Sequence, residues 1–389
     1  MRKICVATSS RSDYGILKRL MFAIQKDDEL RLQVIAANMH FSAEFGNTYQ
    51  EILNDGFTIH KKVEMLLSSD TANAICKSVG LGAIGFADAY EELKPDLVVM
   101  LGDRYEMIAV VSTALFSQIP VAHISGGEIT EGAYDDAVRH AVTKMSHLHF
   151  TATEESRNRV IQMGEQPHTV FNVGAMGVDD IQSLPLISKI ELEESIGFQF
   201  NKPTALVTFH PTTLDHNTDS ATQFGNLLKA LNQTPGLHCL FTCPNSDTDG
   251  RIIIQMIQDF VAQHGERAHY VPSLGQLRYL SALKYVDFVL GNSSSGIVEV
   301  PSFKIPTVNI GIRQKGRVRA ASVIDCAPLT SDILAAINLA LSNEFRQAAM
   351  NTINPYHKPN TVQSILNVLK TADLKRIMLK HFYDLPSKG

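Results

Sequence analysis

The sequence predicts an α/β protein built of two doubly wound domains, and three observations carry that prediction. Short β-branched runs alternate with helical patterns. The alternation stops over a polar, less patterned stretch at 178–202 and then starts again. The chain, at 389 residues, is longer than a single core usually supports. Strands that read as near-continuous apolar runs belong to parallel sheets covered by helices on both faces.

In order, the first half carries KICVAT (3–8), LQVIAA (32–37), DLVVML (96–101), PVAHI (120–124), LHFTA (148–152) and VFNVG (170–174). The second carries TALVTF (204–209), HCLFT (238–242), AHYV (268–271), VDFVL (286–290) and PTVNI (306–310). These runs set a first domain at 1–178 and a second at 179–364. QSILNVLKTADLKRIMLKHFYDL is helical in pattern, which suits a terminal helix over 365–389 that returns to the first domain. In doubly wound sheets ligands lie beyond the carboxyl ends of the strands, so the strand ends of the two domains are expected to face a central cleft.

Bulk properties exclude several classes. A net charge of −5 with dispersed Lys and Arg offers no basic stripe for nucleic acid. The first apolar run ends within eight residues, too short for a signal-peptide core or a membrane span, so no membrane association and a cytoplasmic location are expected. Five cysteines without a CxxC pair fit reduced thiols used as core filler, and Cys239 with Cys243 lacks the second pair a zinc site needs. Gly80, Gly82 and Gly85 satisfy G-x-G-x-x-G, but no strand precedes them; SSDTANAICKSV reads as a capped helix that continues through the glycines. With no P-loop either, no dinucleotide or other cofactor is expected.

Chemistry concentrates after the strands. LGDRYE places Asp103 and Glu106 at one strand end, and HISGGEITEGAYDD places Glu128 and Asp135 among four carboxylates at the next. Carboxylates crowded in a partly desolvated site raise one another's pKa, which yields acids and bases near neutrality. The Gly126-Gly127 pair allows backbone to approach a ligand closely. His210 directly follows the first strand of the second domain. LGNSSSGIVEVPSF offers Asn292, a helix start at Ser293 and Ser294 suited to an anion, and Glu299 for a ribose diol. Arg11, Arg313, Lys315, Arg317 and Arg319 also follow strand ends, where guanidinium groups suit a diphosphate. Singly, each has a plainer explanation: a serine cap, a satisfied histidine, a surface charge. His147 and His149 form an HxH pair without a third ligand at recognisable spacing.

LGDRYE, the HISGGE-to-YDD loop with RHAVTKMSHLHFTATEE, then TFHPTTL, GNSSSGIVEVPSF and NIGIRQKGRVR occur in the order and spacing that characterise the hydrolysing UDP-N-acetylglucosamine 2-epimerases, and the chain resembles that family over nearly its whole length. The resemblance implies a GT-B fold of two Rossmann-like domains. It implies loss of the sugar C2 proton and of UDP to give a 2-acetamidoglycal, then addition of water at C1 and reprotonation of C2 on the opposite face. It assigns acid and base roles to Asp103 and Asp135, places Asp179 with the catalytic residues near the sugar, and places His210 at the phosphates and the departing oxygen. It further assigns diphosphate contacts to Arg11, Ser293 and Ser294, and the ribose to Glu299.

One departure concerns Ser125, which stands where several relatives carry a glutamate in HIEGGE; the vacant role passes to Glu128, Asp135, Asp103 or a histidine such as His123. The loop before YDD is also one residue longer than in those relatives. MLLSSDTANAICKSVGLG and RIIIQMIQ…SLGQLRYLSALK resemble a bacterial subgroup that makes sialic and legionaminic acid precursors. The implied substrate is UDP-N-acetylglucosamine, with UDP-N,N'-diacetylbacillosamine as alternative, and a GT-B glycosyltransferase or a non-catalytic nucleotide-sugar binder as rivals. An exposed helical face in the first domain suits a homo-oligomer, a dimer or tetramer.

Overall fold

A computed structural model describes residues 1–69, 71–179, 181, 184–212, 218–244 and 250–386. The chain forms two compact units: 1–128, 135–179 and 356–389 make unit 1, and 129–134 with 180–355 make unit 2.

In unit 1 the order is β1 (Arg2–Thr8), α1 (Arg11–Lys26), β2 (Leu30–Ala37), α2 (Tyr49–Asn54), β3 (Lys61–Val63), α3 (Ala72–Leu93), β4 (Leu97–Leu101), α4 (Glu106–Phe116), β5 (Val121–Ile124), α5 (Asp135–Met145), β6 (Leu148–Thr151), α6 (Glu154–Gln162), β7 (Val170–Asn172) and α7 (Met176–Asp179). The seven strands are all parallel, in the order β3-β2-β1-β4-β5-β6-β7. Chain direction across the sheet reverses between β1 and β4, and this switch point leaves a crevice beyond their carboxyl ends. Apolar residues of α1 (Leu17, Leu20, Ile24) fill the core on one face. Gly82 and Gly85 belong to α3, where an added Cβ would lie 2.6 Å from Met65 and 2.7 Å from Val63. Gly82 and Gly85 there serve close packing of the helix, whereas Gly80 faces open space.

Unit 2 continues with α8 (Lys189–Ile196), β8 (Thr204–Thr208), α9 (Ser220–Asn232), β9 (His238–Thr242), α10 (Gly250–Gln263), β10 (Ala268–Val271), α11 (Gly275–Ala282), β11 (Phe288–Gly291), α12 (Ser294–Val298), β12 (Thr307–Ile310), β13 (Val323–Cys326), α13 (Thr330–Leu341) and α14 (Asn343–Met350). Its six parallel strands run β10-β9-β8-β11-β12-β13, so the switch point lies between β8 and β11. The last elements, α15 (Thr361–Thr371) and α16 (Leu374–Met378), belong to unit 1, and Ile365 and Leu369 of α15 are fully buried in its core beside α1.

Several expectations are corrected. β3 and β13 are edge strands of three and four residues, too short and too polar to show a pattern of their own. The terminal helix is interrupted at Ala372, because Asp373 caps a new turn by accepting from the Arg376 N–H, and no helix continues through 379–386. Cys76 is exposed on α3 and fills no core, whereas Cys5 and Cys239 do. Leu81 and Ile84 of α3 and Phe116 at the end of α4 are also exposed. Among the described residues no helix is long and apolar enough to cross a membrane.

Gly291 closes β11 at φ +137°, a region costly for any residue with a side chain, and an added Cβ would lie 1.9 Å from the Thr208 carbonyl oxygen of β8. Backbone cannot yield as a flexible side chain does. Gly291→Ala is therefore expected to lower unfolding free energy by about 3 kcal/mol or more, measured by urea denaturation.

Candidate active site

In unit 1, β4 and β5 are neighbours with Leu101 opposite Ile124, so the loops that leave them emerge side by side. The first brings Asp103, the second Glu128. Arg139, one turn into α5, draws these elements together. Its side chain is 1% exposed, and it pairs with Asp103, donates to the Asp136 carboxylate at 3.2 Å and donates to the Glu128 carbonyl at 2.9 Å. Burial opposes its charge, but Asp103, Glu128 and Asp136 outweigh that cost and raise its pKa further. A cation held this way places carboxylates of three segments around one point.

Asp135 heads α5, where a carboxylate is favoured by the helix dipole, while its neighbour Asp136 reaches Arg139 and lies 3.4 Å from His140 Nε2. Glu106 is fully buried at the start of α4 and accepts from Arg104 Nε at 2.9 Å. Asp179 accepts from the Thr361 backbone N–H at 3.2 Å and so anchors the start of α15. Ser125 adopts φ +69°, rare for serine, and its N–H bonds the Phe150 carbonyl.

Two expectations for this loop are overturned. His123 is fully buried, with Nε2 2.8 Å from the Gly102 carbonyl and Nδ1 3.0 Å from the Thr143 hydroxyl. The carbonyl only accepts, so Nε2 carries the proton and Nδ1 accepts from Thr143. Burial drives the ring pKa down to about 3, which makes His123 a neutral structural group rather than a proton shuttle. The Gly126-Gly127 pair serves packing rather than ligand approach: a Cβ on Gly127 would lie 2.3 Å from the Ser156 carbonyl of α6, and one on Gly126 would crowd Thr143 and His123.

At the carboxyl end of β1, the N–H groups of Ser9 and Ser10 are taken by the Asp13 carboxylate at 2.8 and 2.7 Å. Arg11 opens α1 and pairs with Glu51 at 2.9 Å. His40, without a sequence signal, is buried between the Thr8 and Thr48 hydroxyls at 3.0 and 2.8 Å. His147 precedes β6 and His149 is its second residue, one strand in from the β7 edge of the sheet. His149 bonds Glu165 at 3.0 Å, and Lys144 and Lys380 also reach that carboxylate. Burial alone would raise Glu165, but these partners bring it to about 2. Among the described residues no group of His, Cys, Asp and Glu has the arrangement of a metal site.

In unit 2 the switch point is built by Asn292, fully buried beyond β11. Its Oδ1 accepts from the His210 N–H at 2.6 Å and its Nδ2 donates to the His210 carbonyl at 2.8 Å. This two-point clamp fixes the backbone of His210 as it leaves β8. The Asn292 carbonyl in turn accepts from Arg313 at 3.2 Å and Gln314 at 3.0 Å. Ser293 caps α12 by accepting from the Ser295 N–H, Ser294 is exposed, and Glu299 ends that helix close to the half-buried Tyr279. The basic run divides: Lys315 pairs with Glu131 at 2.7 Å and Arg319 with Asp325 at 3.1 Å, while Arg313 stays buried at the switch point.

Fold and site together define a two-domain α/β protein of the GT-B class, with a carboxylate cluster beyond β4 and β5 of one sheet and a clamped histidine at the switch point of the other. The model of the UDP-N-acetylglucosamine 2-epimerase family matches residues 22–370, and the chain belongs to that family. It is 41% identical over 388 residues, 99% of both chains, to the GDP/UDP-N,N'-diacetylbacillosamine 2-epimerase (hydrolyzing) of Campylobacter jejuni. It is 39% identical, over 99% of this chain and 98% of the other, to the polysialic acid biosynthesis protein P7 of Escherichia coli. The crystal structure of UDP-GlcNAc 2-epimerase from Neisseria meningitidis bound to UDP-GlcNAc has the same fold, with TM-score 0.80 and 20% identity over 94% of this chain and 99% of that one.

Sequence reasoning missed Arg139, although it lies in a quoted motif; the available signal was its spacing of three from Asp136 on a helix. Arg139→Met, which keeps volume but removes the charge, is expected to destabilise by about 3–5 kcal/mol in chemical denaturation, because the carboxylates lose their counter-charge.

Acid sensitivity follows from the same burial. His40, His123, His147 and His149 all have pKa values pushed below the ordinary 6.5, chiefly by burial. Below pH 6.5 the unfolded chain binds protons that these folded rings do not, so stability falls as pH drops from there; Glu165 adds a loss below its ordinary 4.5. Urea midpoints are expected to decline from pH 7 to 4.5, and His123→Gln to flatten that slope. An unchanged slope would rule out a neutral His123.

Proposed function

We propose that the protein is a hydrolysing 2-epimerase of UDP-linked 2-acetamido sugars. The observation that carries this reading is the assembly of Asp103, Glu128 and Asp136 around Arg139 beyond β4 and β5. A glycosyltransferase of the same fold has no need of several proton-transfer groups at this edge, whereas removal and return of a sugar C2 proton requires acid and base groups on two faces of the ring. In this reading Asp103 and Asp135 move the C2 proton, and Glu128 takes the role vacated at Ser125. Asp179 supports the site through its hold on α15. The C1–O bond breaks with its electrons to UDP, giving a 2-acetamidoglycal; water adds at C1, and C2 is reprotonated on the opposite face.

His210, with its backbone clamped by Asn292, and Arg313 stabilise the departing diphosphate, assisted by Arg11, Ser293 and Ser294. Glu299 accepts from the ribose hydroxyls. The substrate of first choice is UDP-N-acetylglucosamine, which yields N-acetylmannosamine for a sialic acid type of pathway; the E. coli relative supports it. The C. jejuni relative favours UDP-N,N'-diacetylbacillosamine as the second reading. The free thiols suit a reducing cytoplasm.

Incubation with each substrate in deuterated water is expected to release UDP together with a free 2-epimer carrying deuterium at C2, and the larger kcat/KM identifies the substrate. Asp103→Asn is expected to lose roughly a thousandfold or more in kcat while UDP binding persists. UDP release without deuterium at C2 would falsify the epimerase reading.

A further inference from the structure

Glu299 stands where one kind of helix gives way to another. α12 ends there, and the chain goes on as a 3₁₀ turn over Val300–Phe303. The change has a local cause. Pro301 has no N–H to give to an α-helical ladder, and the Ser302 N–H donates to the Glu299 carbonyl at 3.0 Å, three residues back, instead of to the Val298 carbonyl four back. A helix end tightened in this way leaves carbonyls that need partners from elsewhere in the fold.

Asn354, just beyond α14, is such a partner. Its Nδ2 donates to the Val298 carbonyl at 2.8 Å and to the Ser302 hydroxyl at 2.7 Å, so one buried amide holds the residue before Glu299 and the residue three after it. Lys304, which follows the turn, donates to the Thr352 carbonyl and lays the same segment along it. All of these residues belong to unit 2. The other side of α12 is seated on β12: Thr307 Oγ1 donates to the Gly296 carbonyl at 2.8 Å, and an added Cβ on Gly296 would lie 2.8 Å from the Thr307 methyl group. Tyr279 completes the frame by donating to the Ser295 hydroxyl at 2.6 Å, and the Ser295 carbonyl accepts the Glu299 N–H at 2.9 Å.

A five-residue helix has little stability of its own, so the place of the half-buried Glu299 carboxylate depends on these tertiary contacts. A carboxylate that accepts from two neighbouring hydroxyls tolerates little displacement, because a hydrogen bond weakens steeply as its distance and angle depart from the ideal. We propose that Asn354 is a positioning residue for Glu299, and that through it the protein distinguishes a ribose from a 2'-deoxyribose. The proposal rests on the function proposed above, in which Glu299 accepts from the ribose hydroxyls. Asn354 acts through the chain on either side of Glu299: it fixes Val298 and Ser302, and the carboxylate between them keeps its aim.

The experiment is titration calorimetry of the full-length protein with UDP and with 2'-deoxy-UDP, for wild type, Glu299→Gln and Asn354→Leu. Wild type is expected to bind UDP roughly tenfold to a hundredfold more tightly than the deoxy analogue, which leaves the carboxylate short of a donor. Glu299→Gln is expected to lose most of that preference. Asn354→Leu, which keeps volume but removes both donated bonds, is expected to do the same: UDP affinity falls by nearly the whole preference, while affinity for 2'-deoxy-UDP changes by no more than about twofold. Where Asn354→Leu does not fold, Ser302→Ala, which removes one of the two bonds, is expected to lower the preference to an intermediate value.

The proposal is overturned where Asn354→Leu, or Ser302→Ala in its place, keeps the full preference for UDP. It is equally overturned where affinity for both nucleotides falls by the same factor, as a general loosening of unit 2 would cause. A preference that survives Glu299→Gln, or a wild type that binds the two nucleotides equally, overturns Glu299 as the ribose ligand and the proposal with it. Wild type that binds neither nucleotide overturns the function proposed above as well.

Discussion

The guanidinium of Arg139 is the group on which the candidate site of unit 1 depends. Its charge is buried, and a buried charge persists only where opposite charges and hydrogen bonds replace water. Asp103 from the end of β4, Asp136 from α5 and the Glu128 carbonyl from the end of β5 provide that replacement. The dependence is mutual. Without the cation, carboxylates from adjacent loops would repel one another; without the carboxylates, the arginine would have no tolerable place on the buried face of α5. A cluster of this kind keeps proton-transfer groups close together in a site that is partly dry.

Unit 2 solves a different problem with neutral groups. Asn292 fixes His210 through two backbone hydrogen bonds. The glycine before it is what lets β8 and β11 approach closely enough for that clamp to form. In both units the relevant residues follow the carboxyl ends of strands; in unit 2 they lie where strand order reverses, and in unit 1 they lie beyond β4 and β5, next to that reversal. Buried histidines elsewhere, such as His149 with Glu165, tie β6 to the segment that follows α6.

Much of this was legible in the sequence. Apolar runs of four to eight residues, punctuated by Gly, Asp and Ser, mark the parallel strands and their carboxyl ends, so Asp103, Glu128, His210 and Asn292 could be placed on strand-end loops from local pattern alone. The helical assignment of the glycine-rich stretch at 80–85 was equally local, since no strand precedes it. Edge strands such as Lys61–Val63 were not legible, because they are too short and too polar for a period to register. The break at Ala372 was not legible either, because a single aspartate cap outweighs an otherwise continuous helical pattern.

The sequence by itself determined the alternation of strand and helix, the existence of two such arrays and the identity of the residues at their strand ends, since these depend on side-chain period and turn chemistry over a few residues. Only the tertiary structure decided which carboxylates meet one cation, that His123 is a neutral strut, and that Gly126 and Gly127 admit a helix rather than a ligand. Arg139 reaches Asp103 across 36 residues of chain, and Asn292 reaches His210 across 82. Burial and desolvation at such separations are set by how layers pack, and no local pattern records them.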